Sequence, residues 1–236
     1  MRTAAILPVK RFAQAKQRLG ASVADPLRLE LARAMVGDVL SALTETAAIE
    51  LTIVVTGEPS VAETARAGAG AGATIVIDDT AQEGQSAAVG LGVRRALHAG
   101  IERVLCIPGD CPTLDPVELE ALLGAREGVH SAPSAEVVIV PDRHGTGTNG
   151  LLLAPPGAIP PSFGPDSRER HTALALAAGV AVRIEQPPSL LLDIDTGDDL
   201  AVLRDRLSGE RIRASRTRAV LGLPVGPHVL SSTTPA

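Results

Sequence analysis

Arg103-Val-Leu-Cys-Ile-Pro-Gly-Asp-Cys-Pro-Thr-Leu-Asp-Pro116 is the stretch from which the rest of the chain is read. Val104 to Ile107 is a short apolar run of the kind that forms a strand buried on both faces in a parallel sheet. Pro108 cannot donate to a ladder and Gly109 tolerates unusual φ/ψ, so the strand is expected to stop there. Asp110 then stands at the strand's carboxyl end, where open α/β sheets bind ligands. Asp115 and Pro116 read as N-cap and first helical residue, with Glu118 placed to close a capping box. An Asp in this position can serve turn geometry alone. Its chemical reading is a divalent-metal ligand facing a phosphorylated substrate.

Working outward, further strands are expected at 3–8, 51–56, 73–77, 136–141 and 190–196, most of them stopped by proline or acid. Helices are expected from Asp25-Pro26, over 59–69, from Glu83, from Pro116 and from Arg168, and after Thr196, which reads as the N-cap of the last of them. Alternation of strand and helix makes this an α/β domain with a mostly parallel sheet and helices on both faces. The folded domain is expected over 1–207. Residues 208–236 turn basic and then Pro/Gly/Ser/Thr-rich, and read as a loosely attached tail.

The 236 residues are 45% hydrophobic and 21% charged, ordinary for a soluble globular chain, with a formal net charge of −5. That charge argues against a general nucleic-acid binder, and no apolar run reaches membrane-span length. Cys106 and Cys111, without clustered His, suit neither a disulfide scaffold nor a zinc site, so a cytoplasmic setting is expected. There is no Trp or Tyr and only two Phe, which leaves little aromatic surface for stacking sugars or bases. Only two lysines occur, Lys10 and Lys16, both in one loop after the first strand.

That loop, residues 9–20, carries Lys10, Arg11, Lys16 and Arg18 and suits a polyphosphate. Lys10, Lys16 and Arg18 are candidate triphosphate contacts; Lys16 and Arg18, with Asp110, are candidates for the catalytic step. Gly84, Gln85 and Ser86 open a helix and could bond a base or ribose, although helix capping explains Ser86 equally well. Gly145, Gly147 and Gly150 fit G-x-G-x-x-G, but an extended run follows them, so a dinucleotide site is excluded. Their hydroxyl- and Arg143-containing loop reads instead as an anion cradle, with Thr146, Thr148 and Asn149. Gly68 to Ala73 is glycine-rich in the wrong order for the same motif and reads as a connector. Gly164 and Ser167 precede a helix whose N-terminus could meet a carboxylate or phosphate. His171, one turn in, reads as structural. Strand alternation puts Asp193 and Asp195 on one face, a carboxylate pair to complete a hard-oxygen metal site with Asp110. No Ser/His/Asp or Cys/His set stands out. That absence suits attack by an already ionised phosphate oxygen on a nucleoside triphosphate, which needs charge neutralisation more than a general base.

Several segments together resemble the 2-phospholactate/phosphoenolpyruvate guanylyltransferases of coenzyme F-420 biosynthesis: Pro8 to Leu19, Gly109-Asp110-Cys-Pro112, Asp142 to Asn149, Phe163-Gly-Pro-Asp-Ser167 with His171, and Asp193-Ile-Asp-Thr196. The resemblance spans about 3–207. It implies a single-domain, Rossmann-like nucleotidyltransferase fold using GTP and Mg2+, with Asp110 and Asp193 as metal ligands and Asp195 held as an alternative. It also implies that Thr148, Gly164 and Ser167 hold the phosphorylated acid, and that the product passes to a transferase acting on the deazaflavin precursor. Phosphoenolpyruvate is favoured over 2-phospholactate, because the arginine-rich, lysine-poor composition suggests a GC-rich bacterial source and the resemblance associates bacterial members with that acid. Gly84-Gln-Ser-Ala-Ala88 departs from many relatives towards the molybdenum-cofactor nucleotidyltransferases, which leaves base selection open. A nucleotide-sugar glycosyltransferase and a non-catalytic nucleotide-binding regulator are the readings from other classes.

Overall fold

Ala4, Ile6, Ile53, Val55, Val104 and Cys106 bury on one face of a sheet, while Ala5, Leu7, Val54 and Leu105 bury on the other. This period-two division is why these runs are strands with both faces covered. The computed structural model describes residues 1–14, 19, 24–68, 73–124, 135–209 and 213–224. Within them the strands are β1 (Thr3–Val9), β2 (Leu51–Thr56), β3 (Ala73–Asp78), β4 (Arg103–Cys106), β5 (Glu136–Pro141), β6 (Thr148–Ala154) and β7 (Ala181–Ile184). The helices are α1 (Asp25–Glu45), α2 (Pro59–Ala67), α3 (Gln85–His98), α4 (Pro116–Gly124), α5 (Ser167–Ala177), α6 (Gly197–Leu207) and α7 (Ser215–Val220).

The sheet runs β3-β2-β1-β4-β6-β5-β7. Every pairing is parallel except the two made by β6. Helices α1, α2 and α4 share the core on one face, and α3 and α5 pack on the other. A third apolar cluster joins Leu31 and Met35 of α1 to Leu192, Ile194 and the inner face of α6. Because β6 runs backwards, its first residues, Thr148 and Asn149, lie at the end of the sheet where the parallel strands finish.

Four local expectations are corrected. Asp115 does cap α4, accepting from the Val117 N–H at 2.9 Å, but Glu118 instead accepts from the Ser189 N–H at 2.8 Å. Gly109 is needed for space rather than for an unusual φ: a Cβ there would lie 2.9 Å from Val36 Cγ2. Residues 190–196 form no strand. Their alternation is real, with Leu192 and Ile194 fully buried, but it serves packing under α6 rather than a ladder. The last strand is β7, a short, half-exposed edge.

The fourth concerns the segment read as a tail. Its residues 213–224 are packed, with α7 docked on α1. Asp38 of α1 accepts from the N–H groups of Arg216 at 3.0 Å and Thr217 at 2.8 Å. Burial pushes the Asp38 carboxyl above its usual range, against the bonds from Thr217 and Arg216. Arg218, itself buried, donates to the carbonyls of Gly209 at 2.7 Å and Pro224 at 2.9 Å. The basic residues here are side chains that tie the chain down, a use that apolar periodicity does not signal.

Candidate active site

The strand order reverses between β1 and β4, and crevices at such switch points are where doubly wound sheets take ligands. A cleft of 400 Å³ opens there. Lys10 and Phe12 beyond β1, Met35 and Val36 of α1, Gly84 and Gln85 at the start of α3, and Gly109 and Asp110 beyond β4 line it, with Asp79, Gln82 and Asp195. Gly84, with φ +101°, is the N-cap of α3. Lys10 is exposed at the mouth. Arg11 is engaged, its Nε donating to the Gly57 carbonyl at 3.2 Å. Lys16 and Arg18, the other cations of this loop, lie outside the described residues, as does most of the Gly68–Ala73 connector.

Asp110 and Asp193 approach from opposite halves of the sequence. Burial, then the charge of Asp110, then that of Asp195, raise the Asp193 pKa from 3.8 to about 6, against a bond from Asn149. Asn149 Nδ2 donates to Asp193 Oδ1 at 3.2 Å and to the Leu190 carbonyl at 3.0 Å, and so orients the carboxylate. Among the described residues no group of three His, Cys, Asp or Glu side chains forms a metal cage. Mg2+ is commonly held by one or two carboxylates, with substrate phosphates and water completing the shell. Two hard-oxygen donors whose mutual repulsion a divalent cation would relieve fit that pattern.

The acidic segment is fixed from behind. Asp199 Oδ2 accepts from the N–H groups of Asp195 at 3.1 Å and Thr196 at 2.8 Å, and from the Thr196 hydroxyl at 2.8 Å. The Thr196 hydroxyl oxygen in turn accepts the Asp199 N–H, completing the capping box of α6. Asp199 Oδ1 pairs with Arg143 at 2.6 Å. Burial works to raise the Asp199 pKa, but the Thr196 and Asp195 bonds and the Arg143 charge together hold it below the ordinary range.

These contacts correct the anion-cradle reading of 142–150. Arg143 is committed to Asp199, and the Asp142 side chain accepts the Thr146 N–H at 3.0 Å while its carbonyl takes that of Gly145 at 3.0 Å. Thr148 is different. Its Oγ1 lies 3.1 Å from Nδ1 of His171, whose Nε2 accepts the Ser162 N–H at 2.9 Å. The Phe163 ring meets the imidazole edge-on at 5.1 Å, and the Phe163 N–H donates to Ser86 Oγ at 2.8 Å. Ser86 is therefore no cap for its own helix; it ties the start of α3 to the 162–167 turn. Gly164, at φ +114°, begins that turn, and Ser167 is buried at the first position of α5. The N–H groups of Ser167 and Arg168 are already taken by the carbonyls of Gly164 and Thr146, both at 3.1 Å, so the helix start is less open to an anion than its sequence suggests. Thr148, Gly164 and Ser167 do not line the 400 Å³ cleft itself. They lie on adjoining segments: Asn149, next to Thr148, bonds Asp193, and Ser86, next to the cleft-lining Gln85, holds Phe163 beside Gly164.

His171 is fully buried, and burial, then the Arg170 charge, lower its pKa from 6.5 to about 4. The unfolded chain binds this proton near pH 6.5 and the folded chain only near 4, so the stabilisation is complete above 6.5 and lost as pH falls between them. Asp193 acts with the opposite sign from about pH 6 to 4, which masks the effect in the wild type alone. The metal-free wild type should therefore lose about 3 kcal/mol relative to His171→Gln between pH 7 and pH 4. Urea unfolding at both pH values measures it, and a constant difference would contradict a buried neutral imidazole.

Sequence reasoning missed Asp79, Gln82 and Asp199 as shapers of the site. The hydroxyl-to-carboxylate spacing Thr196–Asp199 was the available signal for the last. Gln82, with φ +51°, donates through Nε2 to the Asp79 carbonyl at 2.7 Å and carboxylate at 3.0 Å, a turn no apolar pattern announces.

The family model described as guanylyl transferase CofC like matches residues 3–232. A phosphoenolpyruvate guanylyltransferase of Conexibacter woesei is 49% identical over 221 residues, covering 94% of this chain and 96% of that protein. One of Rubrobacter xylanophilus is 42% identical over 202 residues, covering 84% and 92%. Among solved structures, a protein described as a nucleotide-diphospho-sugar transferase, from Desulfovibrio desulfuricans G20, superposes with a TM-score of 0.68 at 19% identity, covering 94% of this chain and 95% of its own. A nucleotidyl transferase from Methanothermobacter thermautotroptrophicus gives 0.57 at 20% identity, covering 87% and 97%. The structural neighbours establish a nucleotidyltransferase-type fold, and with the family match running from β1 past α7 the chain belongs to the CofC-like guanylyl transferases.

Proposed function

We propose that this enzyme transfers GMP from GTP to phosphoenolpyruvate, forming enolpyruvyl-diphospho-guanosine and releasing pyrophosphate, as a step of coenzyme F-420 biosynthesis. The observation that carries the reading is a nucleotide-sized cleft at the β1/β4 switch point lined by Asp110 and Asp195, with Asp193 near enough for the Asp110 charge to act on its carboxyl. The relatives named for phosphoenolpyruvate support the choice of acid over 2-phospholactate.

A phosphate oxygen of the acid attacks the α-phosphorus of GTP, and the bond from that phosphorus to the pyrophosphate oxygen breaks. The oxygen is already ionised, so no side chain need take a proton. Lys10, Lys16 and Arg18 neutralise the triphosphate, while Gly84, Gln85 and Ser86 border the base and ribose. Thr148, Gly164 and Ser167 hold the acid. Asp110 and Asp193 would hold Mg2+, with Asp195 as the alternative ligand. Bound there, the ion would neutralise phosphate oxygens as charge builds at the α-phosphorus. A cytoplasmic setting, where both substrates are made, suits this chemistry, and the activated product calls for a downstream transferase acting on the deazaflavin precursor. No described helix is long and apolar enough to cross a membrane.

Pairing each nucleoside triphosphate with each phosphorylated acid, and measuring pyrophosphate, tests the reading. GTP with phosphoenolpyruvate is expected to turn over fastest. Faster turnover with 2-phospholactate would change the acid, and release of a nucleoside diphosphate would indicate glycosyl transfer. In the same assay Lys16→Ala should raise the KM for GTP more than tenfold, the effect of losing one charge-assisted contact of about 1.5–3 kcal/mol. An unchanged GTP KM would return this loop to the solvated surface.

A further inference from the structure

We infer that His171 is a positioning residue, a neutral imidazole that turns the Thr148 hydroxyl so that it donates into the acid site, with the Ser162 N–H on the far ring nitrogen setting its tautomer. The inference rests on the reading of Thr148 and Gly164 as acid-binding residues.

The argument is one of donors and acceptors. The Ser162 backbone N–H can only donate, and it lies 2.9 Å from Nε2, so Nε2 carries a lone pair. A neutral ring then has its proton on Nδ1, 3.1 Å from Thr148 Oγ1. This tautomer is assigned from the hydrogen-bond network. With Nδ1–H donating, Thr148 Oγ1 accepts on that side, and its own proton is left for a different acceptor. The opposite tautomer would draw that proton onto the imidazole and turn a lone pair towards an anionic substrate. Protonating the ring would set an Nε2–H against the Ser162 N–H, and burial together with the Arg170 charge disfavours that state.

The placement makes the effect local to the acid. Thr148 opens β6 at the carboxyl end of the sheet, next to Asn149, which holds Asp193. On its other side the imidazole touches Ser162 and Phe163, the two residues before Gly164, and Phe163 is in turn anchored on Ser86. One buried ring thus connects the strand and the turn that the acid would bridge.

Two amide variants separate its two bonds. Asparagine places an N–H near Nδ1 and keeps the donor to Thr148, whereas glutamine places an oxygen near Nε2, keeps the acceptor for Ser162 and loses that donor. With GTP, phosphoenolpyruvate and Mg2+, His171→Gln should raise the KM for the acid tenfold or more, the scale of one lost bond to a charged group, with the GTP KM within twofold. His171→Asn should largely rescue the acid KM. In a Thr148→Val background His171→Gln should add little. Equal impairment by both amides, an equal rise in the GTP KM, or full additivity with an acid-selective Thr148→Val would overturn the inference and leave the acid site standing. An unmoved acid KM in Thr148→Val would instead overturn the acid-site reading, and this inference with it. A readout that needs no variant is the imidazole 15N spectrum of histidine-labelled wild type. His171 should show a protonated Nδ1 and a bare Nε2 at neutral pH, and the reverse tautomer would refute the proposal.

Discussion

Asp110→Asn should lower turnover at least about a thousandfold, since several kcal/mol of charge stabilisation at the reacting phosphates would be lost. The fold should survive, because asparagine keeps the shape of a half-buried side chain at the end of β4. Removing one negative charge also relieves its repulsion with Asp193, so the Asp193 pKa should fall, while burial, the larger cause, still holds it above 3.8. Asp193→Asn should match it in turnover, and Asp195→Asn should be milder, in keeping with a supporting position. Pyrophosphate release at saturating substrates, with thermal unfolding of each variant beside it, gives the test. An Asp110→Asn enzyme within tenfold of wild type at ordinary Mg2+ would remove Asp110 from the metal site.

The second large effect is expected at Asp199, and it falls on stability. The carboxylate receives two backbone N–H groups and the Thr196 hydroxyl, and pairs with Arg143. Asp199→Ala breaks the capping box and leaves those donors without their acceptor. Together these should destabilise the protein by roughly 2–4 kcal/mol in urea unfolding. Arg143 is partly exposed, so its ion pair contributes the smaller share. Activity of the folded fraction should fall as well, since the Asp193–Asp195 segment loses its anchor. Arg143→Ala should reproduce only a minor part of the stability loss. A destabilisation below about 0.5 kcal/mol for Asp199→Ala, the usual range of a surface change, would show that the network is ornamental.

Much of the scaffold was legible because it depends on local signals. Val104 to Asp110 could be read from an apolar run, a proline and an acid, and strand, stop and acidic tip all follow from those. Direction was not legible. Hydrophobic alternation is the same in a parallel and a reversed strand, so β6 read as an extended run with nothing to say that Thr148 would face the same end of the sheet as Asp110. Residues 190–196 show the converse error, since alternate burial under α6 imitates a strand. Edge strand β7, Ala181-Val-Arg-Ile184, is short and half exposed, and so lacks the pattern that revealed the others. In the site, candidate ligands were visible as residue types, but their partners were not. His171 was read as structural because the groups that give it a task, Thr148 and Ser162, are brought to it by tertiary packing.

The reversed strand also divides the molecule by task. Up to Asp110 the chain builds β1 to β4 and, in the proposed reading, the whole nucleotide side; from β5 onward it builds the acid side. Each half supplies one of the two carboxylates, Asp110 from the first and Asp193 from the second. In that reading, exchanging one small acid for another calls for changes within residues 136–177, while the segment up to Asp110 stays as it is. The proposed chemistry remains conditional on both halves, because neither carries both candidate metal ligands. Substrate preference is free to drift, while the reaction is not.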